Sequence, residues 1–153
     1  MARDGRGPPV SGPAAWWHGG VRFACQGSGK CCVSRGAYGF VYLTLEDRRR
    51  LAKTLGLSTA QFTRRWCAKT DGYFHLKETR APDCVFLEGG NRCGVYEGRP
   101  TQCRTWPFWP ENMSARAWTA IAAECPGVGK GKLVPRERIE AILADQRDST
   151  RRL

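Results

Sequence analysis

The sequence predicts a small single α+β domain, with short strands and helices organised around a cysteine-rich site. Three observations carry that prediction: two helix starts with side-chain caps, several short aromatic and β-branched segments set off by glycine turns, and eight cysteines spread through the loops. Leu, Ile, Val and Phe together make up only 27 of 153 residues, and the net charge is +11, a pairing that often signals disorder. Six Trp, four Tyr and the eight Cys supply other mass to bury, so the thin aliphatic core has to be supplemented by a metal site or by disulfides.

Residues 1–20 read as a leader rich in Gly and Pro, residues 21–147 as the folded domain and residues 148–153 as a basic tail. Residues 21–25 form an extended entry into the loop Cys25-Gln-Gly-Ser-Gly-Lys-Cys31-Cys32, where glycines allow tight turning around an ion. Phe40-Val-Tyr-Leu43 is strand-like. Thr44 then caps a helix that carries Glu46, Asp47, Leu51 and Leu55 and stops at Gly56, with its acidic residues in the first turn where the helix dipole favours them. Ser58 and Gln61 form a capping box, opening a second helix that carries Phe62, Trp66 and Cys67. Both helices read as plain scaffold.

Tyr73-Phe-His-Leu-Lys and Cys84-Val-Phe-Leu are the next strand candidates, and Glu88-Gly-Gly-Asn turns the chain back towards Cys93 in a hairpin that would bring Cys84 and Cys93 together. Pro100 opens one helical turn carrying Cys103 and Arg104, which Pro107 ends. Residues 116–122 are expected to form a strand leading to Cys125, followed by a flexible bend, Pro126-Gly-Val-Gly-Lys-Gly. A last helix starts at Pro135 with Ile139, Ile142 and Leu143 on one face.

No segment approaches the roughly 20 apolar residues that cross a bilayer, and the first 20 residues lack the apolar core of a secretory signal. A membrane partner and ordinary secretion are therefore not expected. A cytoplasmic location is, with an organelle left open, and in such a reducing compartment clustered cysteines bind metal more often than they form disulfides. The ligand pool is Cys25, Cys31, Cys32, Cys84, Cys93, Cys103 and Cys125. Cys31 and Cys32 are adjacent, and Cα atoms about 3.8 Å apart rarely support a disulfide. The chain has no Cys-x-x-Cys pair, which counts against zinc ribbons, thioredoxin-type sites and zinc deaminases. Spacing alone leaves zinc and iron–sulfur both open.

The segments Cys25-x-x-Ser28-Gly29-x-Cys31-Cys32, Leu43-Thr44-x-x-Asp47-x-x-x-Leu51, Cys84-x-Phe86-Leu87, Cys93-x-x-Tyr96-x-x-Arg99-Pro100-x-x-Cys103-Arg104-x-x-Pro107-Phe108 and Cys125-Pro-Gly127-x-Gly129-x-Gly131 together resemble the YkgJ-type cysteine-cluster family. The resemblance spans residues 23–131, and the Arg-Pro-x-x-Cys-Arg-x-x-Pro-Phe stretch is its most specific part. It implies a zinc- or iron-chelating domain and, through the oxidoreductase label many relatives carry, an iron–sulfur centre, but no demonstrated reaction. The family's first loop commonly has a cysteine where this chain has Ser28.

Other residues read as structural. Cys67 lies outside the matched motifs and is expected in the core. His18 and His75 have no partner at ligand spacing, and Gly127-Val-Gly-Lys130-Gly lacks the remaining residues of a phosphate loop. Arg99 and Arg104 are expected to offset thiolate charge, and Trp106 to Trp109 to shield the site from water. Four of the cysteines would satisfy one zinc or one [4Fe–4S] cluster, and seven would serve two centres. Iron–sulfur is preferred, for the excess of sulfur over histidine and for the family label.

No residue is assigned a catalytic role, because no Ser-His-Asp set, paired-carboxylate motif or cofactor fingerprint appears. Any catalysis would be electron transfer or metal-assisted modification of a protein partner. The rival is a basic module for RNA or an anionic assembly with a purely structural metal, motivated by Arg48-Arg49-Arg50, Arg64-Arg65 and Arg151-Arg152.

Overall fold

Two separate hydrophobic clusters, joined through one short helix, organise the described residues 15–27, 40–78 and 83–153 of this computed structural model. The first contains α1 (Leu45–Thr54), α2 (Thr59–Trp66), the ribbon β2 (Cys67–Thr70) and β3 (Tyr73–Leu76), and the small hairpin β4 (Leu87–Glu88) and β5 (Arg92–Cys93). Leu43, Leu51, Phe62, Leu76, Phe86 and Val95 fill its core. The second contains β1 (Val21–Phe23), α4 (Ala115–Glu124), β6 (Val128–Val134) and α5 (Arg136–Arg151) around Val21, Phe108, Trp118, Ile139 and Leu143. Helix α3 (Thr101–Thr105) lies between them.

The caps at Thr44 and Ser58 form as the sequence predicts, and that at Thr44 is also a capping box, with Asp47. Thr44 Oγ1 accepts from Asp47 N at 3.1 Å and Asp47 Oδ2 accepts from Thr44 N at 3.1 Å, while Ser58 and Gln61 repeat the exchange on α2. Helix α1 ends at Leu55 before Gly56, whose φ of +68° suits the residue without a Cβ. Cys67 is not on the second helix as expected: its N–H still bonds the Thr63 carbonyl, but its φ and ψ of −109° and 148° are extended, and it opens β2 opposite Leu76. The turn between β2 and β3 is Asp71-Gly72, both at positive φ. That hairpin dipeptide is present in the sequence, although the sequence reading has no strand before it. The expected strand at residues 40–43 reduces to one bridge, Tyr42 to His75, flanked by bonds from Leu43 N to Phe74 O and from Leu76 N to Val41 O, both 3.0 Å.

The hairpin at Gly89 and Gly90 forms as predicted, but only Leu87 and Glu88 of the first arm are extended, and Cys84 to Phe86 make a turn closed by Leu87 N donating to Cys84 O at 2.9 Å. Two expectations are overturned further on. Residues 116–122 are helical, within α4, because Ser114 accepts from Ala117 N at 3.1 Å as an N-cap and the alanine-rich segment buries Trp118 and Ile121 at a spacing of three, not at alternate positions. The glycine-rich bend after Pro126 is mostly strand β6, paired antiparallel with β1 through Val21↔Val134, Arg22↔Leu133 and Phe23↔Val128. Its register shifts between Arg22 and Phe23, and Gly129 and Gly131 supply the positive φ needed there.

Helix α5 follows Pro135 and buries Ile139 and Leu143, as predicted. Trp17 packs on the second core, Trp16 Nε1 donates to the Met113 carbonyl at 2.7 Å, and α5 runs to Arg151. No described helix is long and apolar enough to cross a membrane.

Candidate metal centre

Of the described pool cysteines, Cys25, Cys84, Cys93 and Cys125 fall at or beside element ends, where turns can leave sulfur accessible. Cys84 precedes the turn into β4, and Cys93 lies in β5 directly opposite Leu87, so the hairpin carries both thiols against the first core. Cys25 follows β1, and Cys125 is the C-cap of α4, its N–H bonded to Ile121 O at 2.8 Å. The two chain segments meet where Ala24 N donates to Gly127 O at 3.1 Å. Gly127 allows that approach, since a Cβ there would lie 2.5 Å from the Ala24 carbonyl oxygen. Cys103 sits on α3, with its N–H bonded to Pro100 O at 3.0 Å.

The structure thus places Cys84 just before, and Cys93 on, one hairpin and brings the Cys25 and Cys125 segments to one seam. Among the described residues no three Cys, His, Asp or Glu side chains gather into a metal-holding group. Cys31, Cys32 and Ser28, the rest of the first cysteine loop, lie outside the described residues. The donor chemistry nevertheless fits zinc or iron–sulfur: thiols on Cys25, Cys84 and Cys125 are exposed or half-buried, not sealed in apolar packing.

Cys67 behaves oppositely. It is 7% exposed within the first core, and burial pushes its thiol up to about 11 against the opposing pull of Arg48 and Lys77. A thiol held neutral in that way packs and does not ligate, as the sequence predicts. The histidines have protein partners. Buried His75 donates from Nδ1 to the Leu76 carbonyl at 2.8 Å, which leaves Nε2 to accept from the Thr70 hydroxyl at 2.8 Å, and its ring stacks on Phe40 at 3.8 Å. His18 packs edge-on against Trp17.

The two motif arginines have partners other than sulfur. Arg99 lies over the Tyr96 ring at 3.7 Å and donates to the Tyr96 carbonyl at 3.0 Å, whereas Arg104 Nη2 donates to Thr101 Oγ1 at 3.1 Å. The pKa of Arg104 is lowered, first by burial and then by the like charge of Arg50. Of the aromatics expected to shield the site, Phe108 belongs to the second core, stacked on Trp118 at a centroid distance of 5.5 Å.

The residue that sequence reasoning missed is Asp47. Beyond its own capping box, this 1% exposed carboxylate accepts from Thr101 N at 2.9 Å and Thr101 Oγ1 at 2.8 Å, and it pairs with Arg50 at 3.3 Å. It therefore anchors the start of the helix that carries Cys103. Thr44-x-x-Asp47 signals only the local cap, because nothing in sequence links Asp47 to a residue 54 positions away.

No solved structure matches the chain significantly. Residues 24–126, well over half of the chain, match the CxxCxxCC family, described as "Putative zinc- or iron-chelating domain", and the matched range takes in all seven pool cysteines. By that match the chain belongs to the CxxCxxCC family.

Proposed function

We propose that this protein carries a cysteine-ligated metal centre, with Cys25, Cys31, Cys32, Cys84, Cys93, Cys103 and Cys125 as the ligand pool and an iron–sulfur cluster preferred over zinc. The observation that supports it most is the contrast between Cys67, sealed in the core as a neutral thiol, and the exposed or half-buried cysteines Cys25, Cys84, Cys93, Cys103 and Cys125. Ligation would draw on the Cys84–Cys93 hairpin, the Cys25–Cys125 seam and Cys103, completed by the Cys31-Cys32 loop. Bound iron–sulfur would supply one-electron chemistry, and bound zinc a cross-link between distant segments. The chain's own contribution is to hold those segments in place, with Asp47 fixing the Cys103 helix.

The RNA-binding alternative draws less support. Of the seven arginines that motivate it, Arg48 stacks on Phe74 at 4.1 Å, Arg50 pairs with Asp47, Arg65 stacks on Trp66 and Arg152 pairs with Glu46 and Asp148. Those four are engaged by the protein itself, which leaves fewer cations for a phosphate backbone.

Anaerobic purification followed by elemental analysis and an absorption spectrum tests the reading. Iron with acid-labile sulfide and visible absorption is the expected result; stoichiometric zinc would overturn the preference, and no metal at all would overturn the proposal. Cys25→Ala and Cys103→Ala should each lose most of the metal, while Ser28→Ala should stay near wild type, since a neutral hydroxyl is a poor ligand for a soft metal.

A further inference from the structure

We propose that the Trp66 indole N–H donates a hydrogen bond to a sulfur of the iron–sulfur cluster and so helps to set its reduction potential, with Cys84 and Cys93 holding the cluster beside it. This assignment rests on the cluster reading above and adds to it a residue outside the cysteine motifs. Trp66 Nε1 is buried and has no hydrogen-bond partner among the described residues. Buried polar groups are nearly always paired, and an exception calls for a bound group or a redox role to explain it.

An indole nitrogen only donates, so what it needs is an acceptor. The packing around Trp66 puts it on the cysteine hairpin. Its ring lies against Phe86, with centroids 4.9 Å apart. Phe86 follows Cys84 closely in the chain, and its carbonyl accepts at 2.8 Å from the N–H of Gly94, the neighbour of Cys93. Trp66, Cys84 and Cys93 all pack against the same core. The carbonyls of that turn are already engaged, Cys84 O by Leu87 N at 2.9 Å and Phe86 O by Gly94 N, so the acceptor that suits the indole is a sulfur of the bound centre.

Rigidity and charge favour the same assignment. Phe62, fully buried on the same helix, also stacks on Phe86 at 6.5 Å, so α2 meets the hairpin through two rings and holds the indole in place. A cluster bound by thiolates is anionic, and a hydrogen bond to one of its sulfurs stabilises the more negative, reduced state. Arg65 lies over the Trp66 ring at 5.1 Å and adds a positive charge beside the donor. Loss of the indole N–H therefore makes the cluster harder to reduce.

The test compares wild type, Trp66→Phe and Trp16→Phe, each purified anaerobically as the full chain with its metal. Trp66→Phe removes the donor and keeps an aromatic ring, whereas Trp16→Phe removes an indole N–H that donates to the Met113 carbonyl beside Trp118 of the second core. At equal iron and sulfide content, the potential of Trp66→Phe should be more negative than that of wild type, and the potential of Trp16→Phe unchanged. In wild type labelled at indole nitrogen, the Trp66 N–H signal should shift between oxidised and reduced protein while the Trp16 signal stays, a measurement that holds even if Trp66→Phe does not fold. An intact cluster with an unchanged potential in Trp66→Phe, or a Trp66 N–H signal insensitive to redox state, would overturn this inference alone. Zinc, or no metal, in wild type would overturn the cluster and the inference together.

Discussion

The two cores of this chain are built by different means. In the first, two box-capped helices lay Leu51 and Phe62, both fully buried, against Leu76 of the ribbon β2–β3. Local rules and aliphatic packing reinforce one another there. The second core rests on aromatic contacts, Phe23 edge-on to Phe108 and Phe108 stacked on Trp118, and is closed by a ribbon whose first strand has only three residues. A short two-stranded ribbon has little independent stability, so the second core depends more on what crosses between regions. Among the described residues the crossings include Asp47 to Thr101 from α1 to α3, Thr105 Oγ1 to Gln146 at 2.7 Å from α3 to α5, and Arg152 to Glu46 at 3.4 Å from the end of α5 to α1. Cys84 and Cys93 pack against the first core, and the Cys25 and Cys125 segments meet at the Ala24–Gly127 hydrogen bond, so the proposed metal would be a further tie between the regions.

Verified removal of the proposed metal should therefore produce the largest effect, a loss of cooperative unfolding, with amides of β1 and β6 losing exchange protection before those of α1 and α2. If the circular dichroism, the melting temperature and the protection of both ribbons stayed as before, the metal would have no structural part. Asp47→Ala comes next. It strands Thr101 N–H, Thr44 N–H and Arg50 at a buried position, and about 3–5 kcal/mol of stability should be lost in urea unfolding, together with metal affinity through the Cys103 helix. A cost below about 1 kcal/mol would mean that the two regions are joined by something else.

Gly127→Ala sharpens the comparison from the other side, because a methyl 2.5 Å from the Ala24 carbonyl must push β1 from β6 while leaving the first core untouched. The expected cost is about 1–3 kcal/mol, read as exchange from the β1–β6 amides with α1 and α2 unchanged. Uniform loss of protection would show that the cores unfold as one.

The smallest effect is a pH dependence confined to the first core. Cys67 has its folded pKa raised to about 11 from 9.0, so above pH 9 the unfolded thiol gives up its proton and the folded one keeps it. Stability is thus fully present below pH 9 and declines by about 1.4 kcal/mol per pH unit as pH rises towards 11. Cys67→Ala should flatten that slope relative to wild type; identical slopes would assign the alkaline loss to other groups.

Whatever depends on near neighbours was legible in the sequence. Both helix N-caps, the helix stop at Gly56, the Gly89-Gly90 turn and the apolar face of the last helix follow from spacing within a few residues, where backbone geometry decides which side chains can meet. The family was legible for the same reason, as residue types at fixed offsets. Two local readings went wrong where local signals compete: residues 116–122 look extended by their Trp, Thr and Ile but follow a serine cap and alanine, and the glycines after Pro126 look flexible until β1 supplies a partner. Only the tertiary structure could decide that Asp47 holds Thr101 across 54 positions, that Arg104 lines a cleft with Arg50, and that Cys67 is sealed while Cys25 is exposed. Burial, charge crowding and long-range hydrogen bonds depend on which surfaces the cores press together, and a chain read a few residues at a time contains no record of that contact.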